Sequence, residues 1–318
     1  MWSYRYFWIH SQILCFLWLT FVSTPVVQGQ VSISDPQNFP ALPYEPVADF
    51  FQLPPGDNFV EPAGIAVNSE GHIYVFHRGK HPLMEFDGTG KFIRSIADDL
   101  FLIAHSLRVD SHDNIWTVDN GTHMVVKLNS DGRVLLALGG FKKPGADSLD
   151  FNRPTDVAID RDGNIYVADG YVNMRIMKFD KSGNFLFSWG MEGGGPGQFE
   201  TPHSIGVDGD LVYVADRENG RIQIFDRNGK FLRQWMNIGH PYGLFITSDH
   251  FIWICDGWAG RFLKLDSDGR IVGGFTETDG HGPEGRGDPH QLWVASDGSI
   301  YTVEVANWRA RKFTLKHK

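Results

Sequence analysis

Three histidines stand at one position of a repeated segment: His105 in "IAHSL", His203 in "TPHSI" and His290 in "DPHQL". Aligned through six copies, that column reads Ala63, His105, Thr155, His203, Tyr242 and His290, so imidazole fills every second copy. A lone histidine at a strand start is most often a hydrogen-bonded core or turn residue. Three of them on alternate members of a closed six-fold ring are about 120° apart and converge on its axis. Three neutral nitrogens around one point, with a fourth direction open, describe a catalytic zinc site more than a closed structural one. The loops after the second strand of each copy add further groups. Arg78 in "FHRGKH" and Arg217 in "ADRENG" occupy matching positions in copies one and four, across the channel mouth from each other, where they could hold a carboxylate or polarise an oxygen. Tyr171 in "ADGYVN" follows by one position in copy three; it is either a rim aromatic or, beside a metal and cations, a general base. His77, His81 and His123 are rim residues with no assigned role. Asp119, Asp169, Asp216 and Asp256 recur at one position and indicate a repeated loop hydrogen bond.

A ring is needed to bring such groups together, and the repeats predict one. "RPTDVAIDRDGNIYVADGYVNMRIMKFDKSGNFLFSW" and "TPHSIGVDGDLVYVADRENGRIQIFDRNGKFLRQW" align almost without gaps, and four more copies follow the same template between Glu61 and Leu315. A period of about 35 to 50 residues is that of propeller repeats. Within a copy, "SIGV", "LVYVAD", "RIQIF" and "FLRQW" are short alternating strands separated by turns such as "RDGN" and "DRNG". The predicted fold is therefore an all-β, six-bladed β-propeller whose innermost strand opens each copy, with residues 61–318 in the ring. Stacked helical repeats are excluded because no segment has a 3.6-residue apolar period. The last copy ends after its third strand, in "RARKFTLKHK", and "VADFFQL", Val47–Leu53, is expected to supply the missing strand from the lead-in segment 30–60. Closure of this kind removes exposed edges.

The 318 residues are 42% hydrophobic and 21% charged, an ordinary globular composition. Residues 1–29 carry one arginine, no acid and an apolar middle, which predicts a secretory signal and an extracellular or periplasmic location. A net charge of −9 disfavours nucleic acid and anionic membranes as partners, and a monomer is expected. Cys15 lies in the leader, so Cys255 of "FIWICDG" is left alone, without a disulfide partner and with the surroundings of a buried strand residue.

The strings "FHRG", "AHSL", "RPTDVAID", "ADGY", "PHSI", "VADRENGRIQ" and "DPHQ" resemble the peptidyl-α-hydroxyglycine α-amidating lyases, six-bladed propellers related to NHL-repeat proteins. The resemblance runs from Gly64 to Leu315. It implies that His105, His203 and His290 bind zinc, that Tyr171 is the catalytic base, and that Arg78 engages substrate with Arg217 contributing. It also implies cleavage of the N–Cα bond of a C-terminal α-hydroxyglycine to a peptide amide and glyoxylate. The family's structural calcium, held by two main-chain carbonyls and an aspartate, would correspond here to Ile65, Leu107 and Gln291, an amide where the acid is expected. Asp288 stands where the animal lyases carry a methionine beside the zinc, and Asn152, Val172, Tyr213 and Ile224 replace the cysteines of their two disulfides. The copper monooxygenase domain that often makes the hydroxyglycine is absent from these residues.

Two other readings compete. An NHL propeller can be a non-catalytic binding scaffold, which predicts no stoichiometric metal and leaves the alternation of histidines unexplained. A related propeller enzyme with a different substrate is the second; a calcium-dependent lactonase type would want central Glu, Asp and Asn oxygens, whereas this column offers imidazoles.

Overall fold

Alternating apolar strands broken by Asp, Gly and Asn turns pair with their sequence neighbours into six four-stranded antiparallel sheets. The structure is a computed structural model that describes residues 37–280 and 285–316, so the leader expected over residues 1–29 lies outside the described residues. The inner strands are Gly64–Val67, Ala104–Val109, Asp156–Ile159, Pro202–Asp208, Pro241–Ile246 and Pro289–Val294. Each inner strand touches the next around the ring, including the last with the first. Every seam between blades holds its own apolar cluster: Phe76 and Leu83 with Leu107 and Val126 at the first, Trp253 and Phe262 with Leu292 and Phe313 at the fifth. No helix among the described residues is long and apolar enough to cross a membrane. Cys255 is buried in the fifth seam, where burial pushes its thiol up.

The ring closes through the N-terminal lead-in, but with a different strand from the one expected. Tyr44–Pro46 pairs with Arg309–Leu315 as the outer strand of blade six, in the register Tyr44↔Leu315 to Pro46↔Phe313. Pro46 is tolerated there because an outermost strand needs no amide on its free side. Val47–Leu53 does other work: Phe50, Phe51 and Leu53 pack into the seam between blades six and one, and Gln52 bridges to Lys91. Those aromatic side chains stabilise the fold more between blades than on an exposed edge.

The inner strands are also sewn together by polar groups. Arg108 of blade two donates to Asp156 of blade three (3.1 Å), Ser204 of blade four (3.1 Å) and the Leu244 carbonyl of blade five (2.9 Å). Asp156 in turn accepts from Ser106 and Ser204. Asp156 is buried and Arg108 nearly so, and the network satisfies both charges across four blades.

Candidate metal centre

A β-bulge opens the inner strand in blades two, four, five and six, and in each the residue skipped by the pairing is a member of the special column: His105, His203, Tyr242 and His290. A bulge residue escapes the alternation of the pleat, which re-aims its side chain. The three histidine rings consequently face one another on the axis, with centroids 4.8, 4.8 and 4.9 Å apart. All three are buried, and their candidate ligand nitrogens lie within 4.8 Å of one another.

The other half of the column holds the rings in place. His105 Nδ1 donates to the Thr155 carbonyl (2.6 Å), His203 Nδ1 to the Tyr242 carbonyl (2.7 Å) and His290 Nδ1 to the Ala63 carbonyl (2.8 Å). Each imidazole is thus oriented by the next blade. A carbonyl can only accept, so each Nδ1 carries the proton and each Nε2 presents a lone pair inward. Burial, with His290 and the guanidinium groups of Arg78 and Arg217 nearby, holds His105 well below the usual imidazole range. Burial, Arg217 and the other two imidazoles do the same for His203, and burial aided by both arginines pushes His290 down to about 4. At neutral pH all three are uncharged.

Tyr171 reaches over this triangle from the loop after the second strand of blade three. Its Oη is 3.2 Å from Nε2 of His105 and 3.2 Å from Nε2 of His203. One phenolic proton cannot serve two lone pairs, whereas a cation shared by the three nitrogens satisfies them all; the donor set therefore fits a divalent ion of zinc type. Gly170 makes this approach feasible, because a Cβ there would come within 2.0 Å of the Pro202 carbonyl. Arg217 lies beside the phenol, with Nη1 3.5 Å from Oη and its guanidinium 4.6 Å above the Tyr242 ring. Arg153, which the sequence reading missed, sits 5.1 Å from the Tyr171 ring centre. Arg78 donates to Glu61 (2.7 Å) and to the carbonyl of Ala104, next to His105. Arg217 is likewise held by Glu218.

The expected calcium set is brought together and then used up. Gln291 Oε1 accepts from the amides of Ile65 (2.9 Å) and Leu107 (3.2 Å), while its Nε2 donates to the Leu107 carbonyl (3.0 Å). The Leu107 carbonyl that a cation would need already faces an amide donor, and Asp156, a buried acid lining the same axial channel, is paired with Arg108. These residues do not fit calcium; the uncharged amide itself pins blades six, one and two together. Millimolar calcium is expected to leave the thermal midpoint unchanged, whereas Gln291→Ala, by leaving buried amides unpaired at about 1–3 kcal/mol each, should lower stability in denaturant titration. A calcium-dependent rise in the wild-type midpoint is the contrary result.

Asp288 does not join the histidines. Its carboxylate accepts from the Ala306 amide (2.6 Å) and Asn307 Nδ2 (2.7 Å), turned toward the blade-six loop. The recurring acids act as the sequence suggested: Asp119 accepts from the amides of Leu102, Ile103, Gly121 and Thr122, and Asp169 and Asp216 tie their loops in the same way. His81 pairs with Asp98, His123 accepts from the Arg153 amide, and His77 is buried off the axis. Tyr213 and Ile224, at two of the lost cysteine positions, are directly paired across neighbouring strands. Two cavities, of ≈ 950 and ≈ 490 Å³, open at the far ends of the inner strands around Phe245 and Trp293, and none of these site residues lines them.

Residues 151–179 and 199–225 match the NHL repeat. The chain is 30% identical over 188 residues to peptidylglycine alpha-amidating monooxygenase of Rattus norvegicus, an alignment covering 58% of this chain and 14% of that protein. It is 42% identical over 77 residues to a probable peptidyl-alpha-hydroxyglycine alpha-amidating lyase of Caenorhabditis elegans, covering 24% of this chain and 22% of that one. Each match spans well under two thirds of the relative's length. A streptogramin B lyase structure aligns with a TM-score of 0.59 over 86% of this chain and 88% of that one; at 17% identity it speaks to the fold alone. The chain is a six-bladed β-propeller with NHL repeats, and its homologues include proteins named as peptidyl-α-hydroxyglycine α-amidating lyases.

Proposed function

We propose that this protein is an exported, zinc-dependent lyase that cleaves the N–Cα bond of a peptidyl-α-hydroxyglycine, giving a peptide amide and glyoxylate. The observation that carries the proposal is the convergence of three neutral, carbonyl-oriented imidazoles on a point within reach of the Tyr171 hydroxyl. Zinc held by His105, His203 and His290 would supply Lewis acidity toward the substrate hydroxyl. Tyr171 Oη, as the phenolate, takes the proton of that hydroxyl. The carbon–oxygen double bond of glyoxylate forms as the N–Cα bond breaks, and the same proton passes from Oη to the departing amide nitrogen. Atoms balance without water or a redox partner. Negative charge on Oη is met by Arg217 at 3.5 Å and by Arg153 over the ring. Arg78 and Arg217, each held in place by a neighbouring glutamate, Glu61 and Glu218, supply guanidinium donors beside the triangle that suit the terminal carboxylate of a peptide. Export is supported by the apolar leader predicted over residues 1–29.

The test is glyoxylate release from a peptidyl-α-hydroxyglycine, with metal content measured on the same sample. Turnover that disappears with a chelator and returns with zinc is the expected result. Bound zinc without glyoxylate would point to a propeller enzyme of another substrate, and no stoichiometric metal would point to a scaffold.

A further inference from the structure

The loop position that delivers Tyr171 is occupied in the other blades by Gly79, Gly121, Glu218, Trp258 and Ala306, counted as the second residue after the repeat's acid or its equivalent. Two blades round from Tyr171, therefore, the same position carries an indole. The local backbone is also alike. Gly257 precedes Trp258 as Gly170 precedes Tyr171, and a Cβ on Gly257 would press on the Tyr242 ring (2.9 Å) and the Pro289 carbonyl (3.1 Å), as one on Gly170 would on Pro202. Both loops thus lie tight over the opening residues of the inner strands.

Trp258 is fixed in this place by polar and ring contacts. Its Nε1 donates to Tyr242 Oη at 2.8 Å, and its ring stacks on His240 with centroids 4.1 Å apart and planes 19° apart. His240 Nδ1 donates to the Arg217 carbonyl, so the stack is anchored to the loop beside the centre. Tyr242 links the stack to the metal site, its ring centroid 5.1 Å from that of His203. Although held this firmly, Trp258 remains 52% exposed. The mouth is walled by Tyr171, Glu218 and Trp258 on blades three to five, and low at Gly79, Gly121 and Ala306 on the remaining side.

We propose that Trp258 is a specificity-determining residue, its indole forming a shelf for an aromatic side chain on the residue directly before the α-hydroxyglycine. The proposal rests on the lyase function above and names its substrate class: peptides with a penultimate aromatic residue. One residue of extended chain spans about 3.5 Å, so a side chain one step out from the reacting carbon, with its own length added, can meet a ring one contact beyond Tyr242. A pre-positioned aromatic gives stacking at low entropic cost.

The probes are acylated dipeptides ending in an unhydroxylated glycine, with Phe or Ala before it, titrated calorimetrically into the zinc-loaded protein. Wild type should bind the Phe peptide roughly two- to tenfold more tightly, as expected for one added aromatic pair. Trp258→Ala should bring the ratio to about one, and Trp258→Phe should keep part of it. Failure of both peptides to bind, absence of a preference in wild type, or an unchanged ratio in Trp258→Ala overturns the shelf. Glyoxylate release is read separately: an intact binding ratio without turnover removes the lyase function and keeps the shelf, while turnover without a ratio removes the shelf alone.

Discussion

Replacing Tyr171 with Phe should lower turnover of a peptidyl-α-hydroxyglycine by about 10²–10⁴-fold, the range a positioned acid–base group supplies, while zinc content stays at the wild-type level. The variant removes one oxygen and leaves the ring, so the edge contacts to His105 and His203 and the stacking of Arg153 and Arg217 persist. The Nδ1 donors that orient the imidazoles go to Thr155, Tyr242 and Ala63 and do not involve the phenol. The effect should therefore fall on kcat, with KM for the carboxylate-bearing substrate nearly unchanged, because a proton carrier acts in the transition state and the arginines act already in the ground state. Arginine is no substitute carrier, since its guanidinium stays protonated. A Tyr171→Phe enzyme within a few-fold of wild type, zinc-loaded and folded, would assign the proton to another group and leave Tyr171 as a rim aromatic.

The ring and the triangle of histidines were legible because both are matters of period. Six copies of a strand meander fix blade number, inner strand and face, and from those the axial column follows without any side-chain coordinate. Reading the same column for its histidines alone left out its other half: Ala63, Thr155 and Tyr242 act through main-chain carbonyls, which no residue type announces. The bulges were invisible for a similar reason, since the skipped residue in each strand is defined by pairing and not by composition. The closing strand was misplaced because Val47–Leu53 is more apolar than Tyr44–Pro46, and apolarity here marks a seam between blades instead of a strand edge. Gln291 could be located from its neighbour His290, but which of its amide atoms faces which backbone group could not. Trp258 was passed over although it follows Asp256 by the same two positions as Tyr171 follows Asp169, because an exposed tryptophan alone says little.

His203→Ala should abolish both metal retention and turnover, and a second histidine shows why the two losses would belong together. Removing His203 takes away one of the three imidazoles proposed to hold the ion and also leaves the Tyr242 carbonyl without its donor. Loss of an outer orienting partner alone typically costs 10–100-fold in metal affinity, so loss of a ligand should cost more, and the purified variant should carry no stoichiometric zinc. Wild type should be stabilised by added zinc through mass action, by about 4 kcal/mol at a thousandfold excess over Kd, and His203→Ala should show almost none of that shift. His77→Ala is the contrast. His77 is also buried, with burial pushing it down to about 4, but it lies off the axis and its Nδ1 accepts from the amides of Val60 and Gly79. Its removal should cost about 1–3 kcal/mol for amides left unpaired, with zinc content and the zinc-induced shift intact. Equal metal loss in both variants would mean that general loosening of the ring, and not ligation by the alternate-blade column, governs the ion. Full zinc occupancy in His203→Ala would place the ion elsewhere and leave the three imidazoles as core residues hydrogen-bonded to their neighbours.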